Sequence, residues 1–392
     1  MIYDFDHPPD RRLTESSKWG TYGSDVLPLW VADMDFTSPQ PVIQALRERV
    51  EHGVFGYPLG NRPGSLAKLR QLIVERLAER YNWQVGPDDI LFQPGVGTAF
   101  KLACLAFADT DRAVLVQTPL YPPILEAAAN TGVLGREMEL RRNPDGSYQV
   151  DYEAFEAAVA RGTSLFILCN PHNPVGRVFR QDELERMAEI CLRHGVVICS
   201  DEVHCELLYR GQRHIPIAAL DAQIAQNTLT LMSPSKTFNL AGLKFSFAIL
   251  QNPELRLRYL QAGYGLAGSA SLMGYVAAEA AYKGGQEWLD QLLAYLEVNR
   301  DFLYSFIQAE LPGIGLAKPE GTYLAWLDCR QAGIEGNPYE FFLEEARVAL
   351  NDGAAFGRGG EGFVRLNFGC PRHLLEEALQ RMQRALASGA RG

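Results

Sequence analysis

The sequence has no excess of basic residues. Lys and Arg together number 37 against 47 Asp and Glu, which leaves the 392-residue chain with a net charge of −10. A protein that binds nucleic acid or an anionic lipid surface through its charge needs a basic patch or stripe. We therefore expect neither nucleic acid nor a membrane among the partners of this chain.

Signal-like and membrane-spanning stretches are also missing. The first nine residues, from Met1 to Pro9, contain neither the basic region nor the apolar core of a signal peptide. Elsewhere no apolar run reaches the length that a bilayer-spanning helix needs. These absences predict a soluble, cytoplasmic protein.

Cysteine is sparse and follows no pattern. The seven cysteines are odd in number and lack the spacing of metal ligands, and Cys169 and Cys199 lie inside apolar runs. Small apolar residues in a reducing compartment are the simplest interpretation. We expect no disulfide framework and no metal site.

The chain is long enough for two domains and has the composition of a globular protein, with 47% apolar and 21% charged residues. From about residue 60 to 250, short β-rich apolar runs alternate with amphipathic helical patterns. The apolar runs are 90–92, 113–116, 164–168, 196–199, 228–232 and 245–250, and the helical patterns are 97–108, 122–131, 151–160 and 181–194. Such alternation predicts an α/β fold with a mostly parallel sheet covered by helices on both faces.

The pattern changes in the last third of the chain. One long helix is predicted over 285–310, and two isolated strands follow at 323–327 and 363–367. This change predicts a smaller α+β domain, which the first forty-odd residues join because they contain no strand–helix unit of their own. The predicted division is a large α/β domain over 45–285 and a small domain formed by 1–44 with 286–392.

Residues with useful chemistry follow five of the predicted strands. In an open parallel sheet, ligands bind beyond the carboxyl ends of the strands. The residues at these ends are Gly97 with Thr98, Tyr121, Asn173, Asp201, and Ser233 with Lys236. Each one alone is common in turns and caps. One suitable group at each successive strand end favours a site for a charged aromatic cofactor.

Pyridoxal 5′-phosphate is a cofactor that these groups suit. Its phosphate needs exposed N–H groups at a helix N-terminus, which Gly97 and Thr98 can supply. Its ring needs a stacking partner, for which Tyr121 is the candidate. Ser233 and Lys236 are three residues apart, so a helical turn between them would let both face one site.

The remaining groups match the chemistry of the pyridine ring. Asp201 is the carboxylate available to keep the ring nitrogen protonated. Asn173 can donate to the ring's phenolate oxygen. Lys236 is the lysine of these strand-end segments, so we assign it the covalent link to the cofactor and then the transfer of a proton.

Several motifs resemble a known family. Ser233-x-Ser-Lys236 followed by Gly242, the run Asn170-Pro-x-Asn173-Pro-x-Gly176 and the Asp201 strand end resemble fold-type I pyridoxal-phosphate enzymes of the aminotransferase class I/II family. More specific runs resemble its cystathionine β-lyase or C–S lyase branch. These runs are 30–36, 201–204, 234–243, 320–328 and 363–372.

The resemblance implies two further residues. Arg365 matches the arginine that holds the α-carboxylate of the substrate, a task suited to the two-pronged guanidinium. Tyr57 matches a tyrosine that reaches the phosphate site of the neighbouring subunit. The resemblance thus implies a mostly parallel, mixed sheet of the seven-stranded type in the large domain, a homodimer with shared active sites and a small amino-acid substrate.

Two positions depart from the wider family. Lys244 stands where most relatives place an arginine on the phosphate, which gives a point charge in place of a fork. His204 stands where transaminases carry a tyrosine that bonds the ring oxygen. A direct contact of His204 with the cofactor and a purely structural, hydrogen-bonded histidine are both open.

Three functions are compatible with these residues. The leading hypothesis is β-elimination from a sulfur-containing amino acid, which would convert cystathionine to homocysteine, pyruvate and ammonia. The first alternative is an aminotransferase that uses the same Lys236 site. The second is a pyridoxal-phosphate-binding regulatory protein that acts through a protein partner.

Overall fold

The computed structural model describes residues 1–62, 64–108 and 111–389. A seven-stranded mixed sheet forms its larger part. In spatial order the strands are Ile90–Gln93, Ser246–Ile249, Thr228–Met232, Val197–Asp201, Thr163–Cys169, Ala113–Thr118 and Gly135–Glu139. Ser246–Ile249 is antiparallel to both of its neighbours, and the other pairs are parallel. The predicted fold class is confirmed.

The central strands are buried on both faces, which explains their continuous apolar runs. All residues of Thr163–Cys169 are buried. Leu165 and Ile167 pack with the helix Val96–Phe107 on one face, whereas Phe166 and Leu168 pack with Gln181–Arg193 on the other. The sheet is therefore the middle layer of three.

One strand of this sheet was not predicted. Gly135–Glu139 lies at the sheet edge and pairs only with Ala113–Thr118. Its residues are mostly exposed or half-buried and are mostly charged, with Met138 as the buried member. Because an edge strand of this kind has no apolar run, the pattern that identified the other six strands is absent here.

The predicted helices are present with ends shifted by at most one residue. The helices of the larger part are Gln40–His52, Ala67–Tyr81, Val96–Phe107, Pro122–Asn130, Tyr152–Ala160, Gln181–Arg193, Ala222–Gln226, Pro234–Thr237, Pro253–Gly263 and Leu272–Gly284. Pro stands at the start of several of them, where its missing N–H costs no intrahelical bond.

A second, antiparallel sheet forms in the C-terminal third. Its strands, in spatial order, are Gly315–Leu316, Leu324–Asp328, Phe363–Asn367 and Asn351–Asp352. The helices of this part are Gln286–Glu310, Pro338–Glu344 and Arg372–Gly389. The predicted long helix and both predicted strands are present.

The N-terminal segment packs on this second sheet. Leu27–Pro28 pairs in parallel with Val348–Ala349. Phe5 and Phe36 belong to the same apolar core as Trp288 of the long helix. The exact division at residues 44 and 285 stays a prediction.

Two further findings concern the expected absences. In the described ranges, no helix combines the length and apolarity that crossing a bilayer requires. All seven cysteines are buried and unpaired, as small apolar residues would be.

Candidate active site

A cavity of about 350 Å³ opens where the strands of the large sheet end. Its size is that of a small-molecule site. The predicted residues on its wall are Gly97, Tyr121, Asn173, Asp201, His204, Ser233, Lys236 and Lys244. Residues from five separate strand ends therefore meet around one space. Thr98 belongs to the same helical turn as Gly97 but not to the cavity wall, and Tyr57 lies on the surface.

The strands position these groups directly. Asp201 is the last residue of Val197–Asp201, and its carbonyl accepts from the N–H of Asn170 at 2.9 Å, which ties the neighbouring loop to the same sheet edge. Ser233 follows the strand Thr228–Met232 and caps the helix Pro234–Thr237, which contains Lys236. The short helix gives the turn that would bring Ser233 and Lys236 to one site.

Lys236 is half-buried, and a backbone carbonyl holds its amine. Its Nζ donates to the carbonyl oxygen of Ala32 at 2.6 Å, and the hydroxyl of Tyr323 donates to the same oxygen at 2.9 Å. Burial and the charge of Arg365 lower the pKa of Lys236 to about 8, against opposing contributions from Asp33 and Asp201. A larger fraction of the amine is neutral near physiological pH than for an exposed lysine.

Ala32 was not identified from the sequence. Its contribution is a backbone oxygen in a loop without secondary structure, so no side chain signals it. Tyr323 was part of a motif but received no role. Both could be recognised only from the fold, which places the carbonyl of Ala32 between Lys236 and Tyr323.

The carboxyl of Asp201 is buried, and few contacts offset the free-energy cost of ionising it there. Its side chain accepts from the N–H of Val203 at 3.3 Å, and burial raises its pKa to about 7. Ionising such a group is costly unless a positive charge comes close. The position therefore suits a cationic ring nitrogen in the cavity.

Arg365 lies in the second sheet and is buried beside the cavity. Its Nη1 donates to Oδ1 of Asn173 at 3.0 Å, and its Nη2 donates to the carbonyl of Trp30 at 3.0 Å and to Oδ1 of Asn351 at 2.6 Å. Burial lowers the pKa of Arg365 to about 10. The two sheets thus meet at the contact between Asn173 and Arg365, and Asn351 was not predicted.

His204 and Tyr121 are both neutral groups on the wall. Burial lowers the pKa of His204 well below its usual range, and the charges of Lys236 and Arg365 act in the same direction. The His204 ring packs edge-on against Tyr323 at 5.9 Å, and its Nδ1 is buried without a hydrogen-bond partner. Burial raises the pKa of Tyr121, so its phenol stays protonated.

The space around Gly97 is suited to an anion. The residue lies in the first turn of Val96–Phe107, and a Cβ built on it would meet no atom nearer than Cζ of Phe100 at 4.0 Å. The free N–H groups of a helix start attract phosphate. Helix and cavity together fit the phosphate of the expected cofactor.

Ser233 and Lys244, two other residues predicted to bind the cofactor, differ in how far the protein already engages their side chains. The Ser233 hydroxyl donates to the carbonyl of Phe245 at 2.7 Å and accepts from the N–H of Ser235 at 3.0 Å. It is therefore engaged in fixing the start of its own helix. Lys244 lines the cavity from a left-handed backbone conformation with φ of 54°, which is uncommon for a residue with a side chain and clusters at functional sites.

These observations fit pyridoxal phosphate. The cavity offers a helix start for an anion, a buried carboxyl for a cationic ring nitrogen, an amine of lowered pKa for an aldehyde, and an unpartnered imidazole nitrogen. Together, the three-layer fold and this set of groups define the class of fold-type I pyridoxal-phosphate enzymes.

Comparison with known proteins identifies the family. Residues 24–382 match the family described as Aminotransferase class I and II, and the chain belongs to this family. It is 38% identical to cystathionine beta-lyase PatB of Bacillus subtilis, over 98% of this chain and 100% of that protein. The predicted family, its cystathionine β-lyase and C–S lyase branch and the cofactor are thereby confirmed, and the chain is an enzyme.

Solved structures agree with this assignment. The crystal structure of OvoB superposes with a TM-score of 0.93 at 41% identity and covers 98% of this chain and 100% of that one. The pyridoxal-phosphate-bound C–S lyase of Staphylococcus hominis superposes with a TM-score of 0.91 at 31% identity, with 98% of each chain covered. Both likenesses extend over nearly the whole molecule.

Proposed function

We propose that the enzyme is a C–S lyase that catalyses β-elimination on a sulfur-containing amino acid such as cystathionine. The observation that carries this proposal is the buried Lys236 amine, with a pKa of about 8, on one cavity with Asp201 and beside Arg365. The similarity to a cystathionine beta-lyase and to a C–S lyase over almost the full chain supports elimination as the outcome.

Arg365 binds the α-carboxylate of the substrate in this proposal. It is a buried cation at the cavity edge, and a planar guanidinium matches a carboxylate with two parallel hydrogen bonds. Asn173 accepts from Arg365 through its Oδ1, and its amide N–H group would donate to the cofactor's phenolate oxygen. Tyr121 would stack on the ring, and the start of Val96–Phe107 with Lys244 would hold the phosphate.

The proton transfers are assigned to Lys236. When bound, the cofactor supplies an aromatic cation that accepts the electron pair left on the substrate's α-carbon. The neutral Nζ of Lys236 takes the proton from that carbon, and Asp201 keeps the ring nitrogen protonated. The bond between the β-carbon and sulfur then breaks, the thiolate leaves with the proton that Lys236 had taken, and the aminoacrylate that is released takes up water and gives pyruvate and ammonia.

A second copy of the chain completes the site in this proposal. Tyr57 is fully exposed in its own chain and lies in a segment whose apolar members Val54, Phe55 and Leu59 are 57–60% exposed. Tyr264 and Leu266 are a further exposed apolar pair at 90% and 71%. Apolar side chains exposed in such numbers favour an interface, and a homodimer would bring Tyr57 to the partner's phosphate site.

The experiment is a product assay without an acceptor. Purified enzyme with L-cystathionine and no keto acid should release pyruvate and homocysteine in equal amounts over many turnovers, and Lys236→Ala should release neither. L-Alanine has no leaving group and should give no sustained turnover. If cystathionine gives no pyruvate while alanine with a keto acid turns over well, the enzyme is an aminotransferase and the lyase proposal is wrong.

A further inference from the structure

Asn351 faces Arg365 across the second sheet. The two residues are direct partners in the antiparallel pair formed by Asn351–Asp352 and Phe363–Asn367. Opposed residues of such a pair place their side chains on the same face. Oδ1 of Asn351 accepts from Nη2 of Arg365 at 2.6 Å. Arg365 is buried, whereas Asn351 is only half-buried.

The hydrogen-bond donors of Arg365 can be accounted for one by one. Nη2 has two hydrogens, and it donates to both the Trp30 carbonyl and Asn351. Nη1 donates to Asn173, which leaves it one further hydrogen. Nε is buried and has no partner. Nη2 is therefore fully used by the protein itself, while the other two nitrogens are not.

A substrate carboxylate needs Nη2 of Arg365, which already donates two hydrogen bonds within the protein. A guanidinium grips a carboxylate with two parallel bonds either through Nη1 and Nη2 or through Nε and Nη2. Both edges include Nη2. Two-pronged binding of the substrate therefore requires that either Trp30 or Asn351 release its bond to Arg365.

Asn351 is the partner that can move. The Trp30 acceptor is a backbone carbonyl in a loop that other side chains hold, including Asn367, whose Nδ2 donates to the carbonyl of Asp33 at 2.7 Å. Asn351 contributes only a side-chain oxygen and is half-buried, so rotation about its own side-chain bonds releases it.

We infer that Asn351 is a specificity-determining residue that occupies Nη2 of Arg365 in the free enzyme and yields it to the substrate's α-carboxylate. The inference rests on the proposed role of Arg365 in carboxylate binding. A neutral amide is suited to this exchange because it satisfies a buried cation and is still displaced by an anion. A carboxylate at this position would hold Arg365 more strongly and exclude the substrate.

The test compares two substitutions of similar size, Asn351→Asp and Asn351→Leu. The probe is L-alanine, whose dissociation constant is measured from the change in cofactor absorbance without any turnover. Asn351→Asp should raise this constant about tenfold or more, because close charge pairs couple by well over 1 kcal/mol. Asn351→Leu removes the competing acceptor and should leave the constant unchanged or lower it.

Methoxyamine is the control ligand, since it reacts with the same cofactor aldehyde but has no carboxylate. Its reaction should be equal in all the variants. With cystathionine, Asn351→Asp should raise KM much more than it lowers kcat. Equal weakening of alanine binding by Asp and Leu would indicate a structural role and overturn the inference, and so would no weakening by Asp.

Arg365→Ala separates this inference from the proposed function. If it leaves alanine binding unchanged, the carboxylate is held elsewhere and the proposed role of Arg365 fails. If it weakens alanine binding while Asn351→Asp does not, Arg365 keeps its role and the inference about Asn351 alone is wrong. Thermal unfolding of each variant identifies any that fails to fold, and Asn351→Ala then replaces Asn351→Leu.

Discussion

The cavity wall and the segment that contains Tyr57 differ in burial. A single chain buries the groups of the cavity wall but leaves the Tyr57 segment exposed. Asp201 and His204 are 4% and 3% exposed, and Lys236 is hydrogen-bonded at 2.6 Å to a loop more than two hundred residues away. Tyr57 is fully exposed, and Phe55 beside it is 59% exposed. Folding of a single chain thus fixes the groups for ring chemistry, while it leaves the Tyr57 segment exposed.

This difference has an electrostatic consequence. Burial changes the pKa of both Lys236 and Asp201, to about 8 and about 7, because water cannot stabilise their charges in the cavity. Such environments are typical of catalytic groups. Tyr57 is exposed in its own chain, so its proposed role depends on a contact with a second copy of the chain.

The largest effect is expected at the buried carboxyl. Asp201→Asn should bind the cofactor but lose up to about a thousandfold in kcat, since a carboxylate that raises the pKa of the ring nitrogen by ~3 units is worth about 4 kcal/mol. Pyruvate release from cystathionine measures the loss, and cofactor absorbance verifies binding. Near-normal turnover would mean that Asp201 is only a structural residue of its strand end.

A smaller effect is expected at the exposed tyrosine. Tyr57→Phe removes one hydroxyl and, in a homodimer, one hydrogen bond to the partner's cofactor phosphate, worth about 0.5–1.5 kcal/mol. The dissociation constant of the cofactor should rise roughly two- to tenfold. Equilibrium dialysis of the holoenzyme provides the measurement.

Tyr264→Phe is the matched control for this prediction, because Tyr264 is also exposed, at 90%. It should leave cofactor retention unchanged. Equal retention in Tyr57→Phe and the wild-type enzyme would contradict a shared site, and a monomer by sedimentation would contradict it independently.

The smallest effect is expected on the pH dependence of Lys236. In the apoprotein, acetylation of its neutral amine should increase with pH through about 8. Arg365 lowers this pKa and Asp201 raises it. Arg365→Ala should therefore move the profile to higher pH, and Asp201→Asn should move it to lower pH. Mass spectrometry of the Lys236 peptide follows the reaction, and shifts in the same direction would refute the electrostatic account.

Much of the fold could be predicted because burial leaves a regular signature. The central strands of the large sheet contain unbroken or nearly unbroken apolar runs, and each helix between them has one apolar face, so their order and approximate ends follow from the pattern. The edge strand Gly135–Glu139 has neither feature and was missed. It pairs with the free hydrogen-bonding edge of Ala113–Thr118, and that edge exists only once the rest of the sheet has formed.

The candidate site likewise contains residues that could be predicted from the sequence and residues that could not. Side chains at strand ends, such as Asn173 and Lys236, could be predicted because parallel strands deliver them to one edge. The Ala32 carbonyl and Asn351 could not, because one is a backbone atom and the other lies in a two-residue strand. Arg365 became a candidate only through family resemblance, since nothing near it in sequence distinguishes it from a surface arginine.

The most direct test of the account is to identify the residue that bonds the cofactor. Borohydride reduction of the purified yellow enzyme should bleach its absorbance and fix the cofactor's mass on a single peptide. Sequencing that peptide by mass spectrometry should place the added mass on Lys236, and Lys236→Ala should give no labelled peptide. A label on Lys244 or any other lysine, or no label at all, would contradict the assignment of Lys236 as the residue that bonds the cofactor.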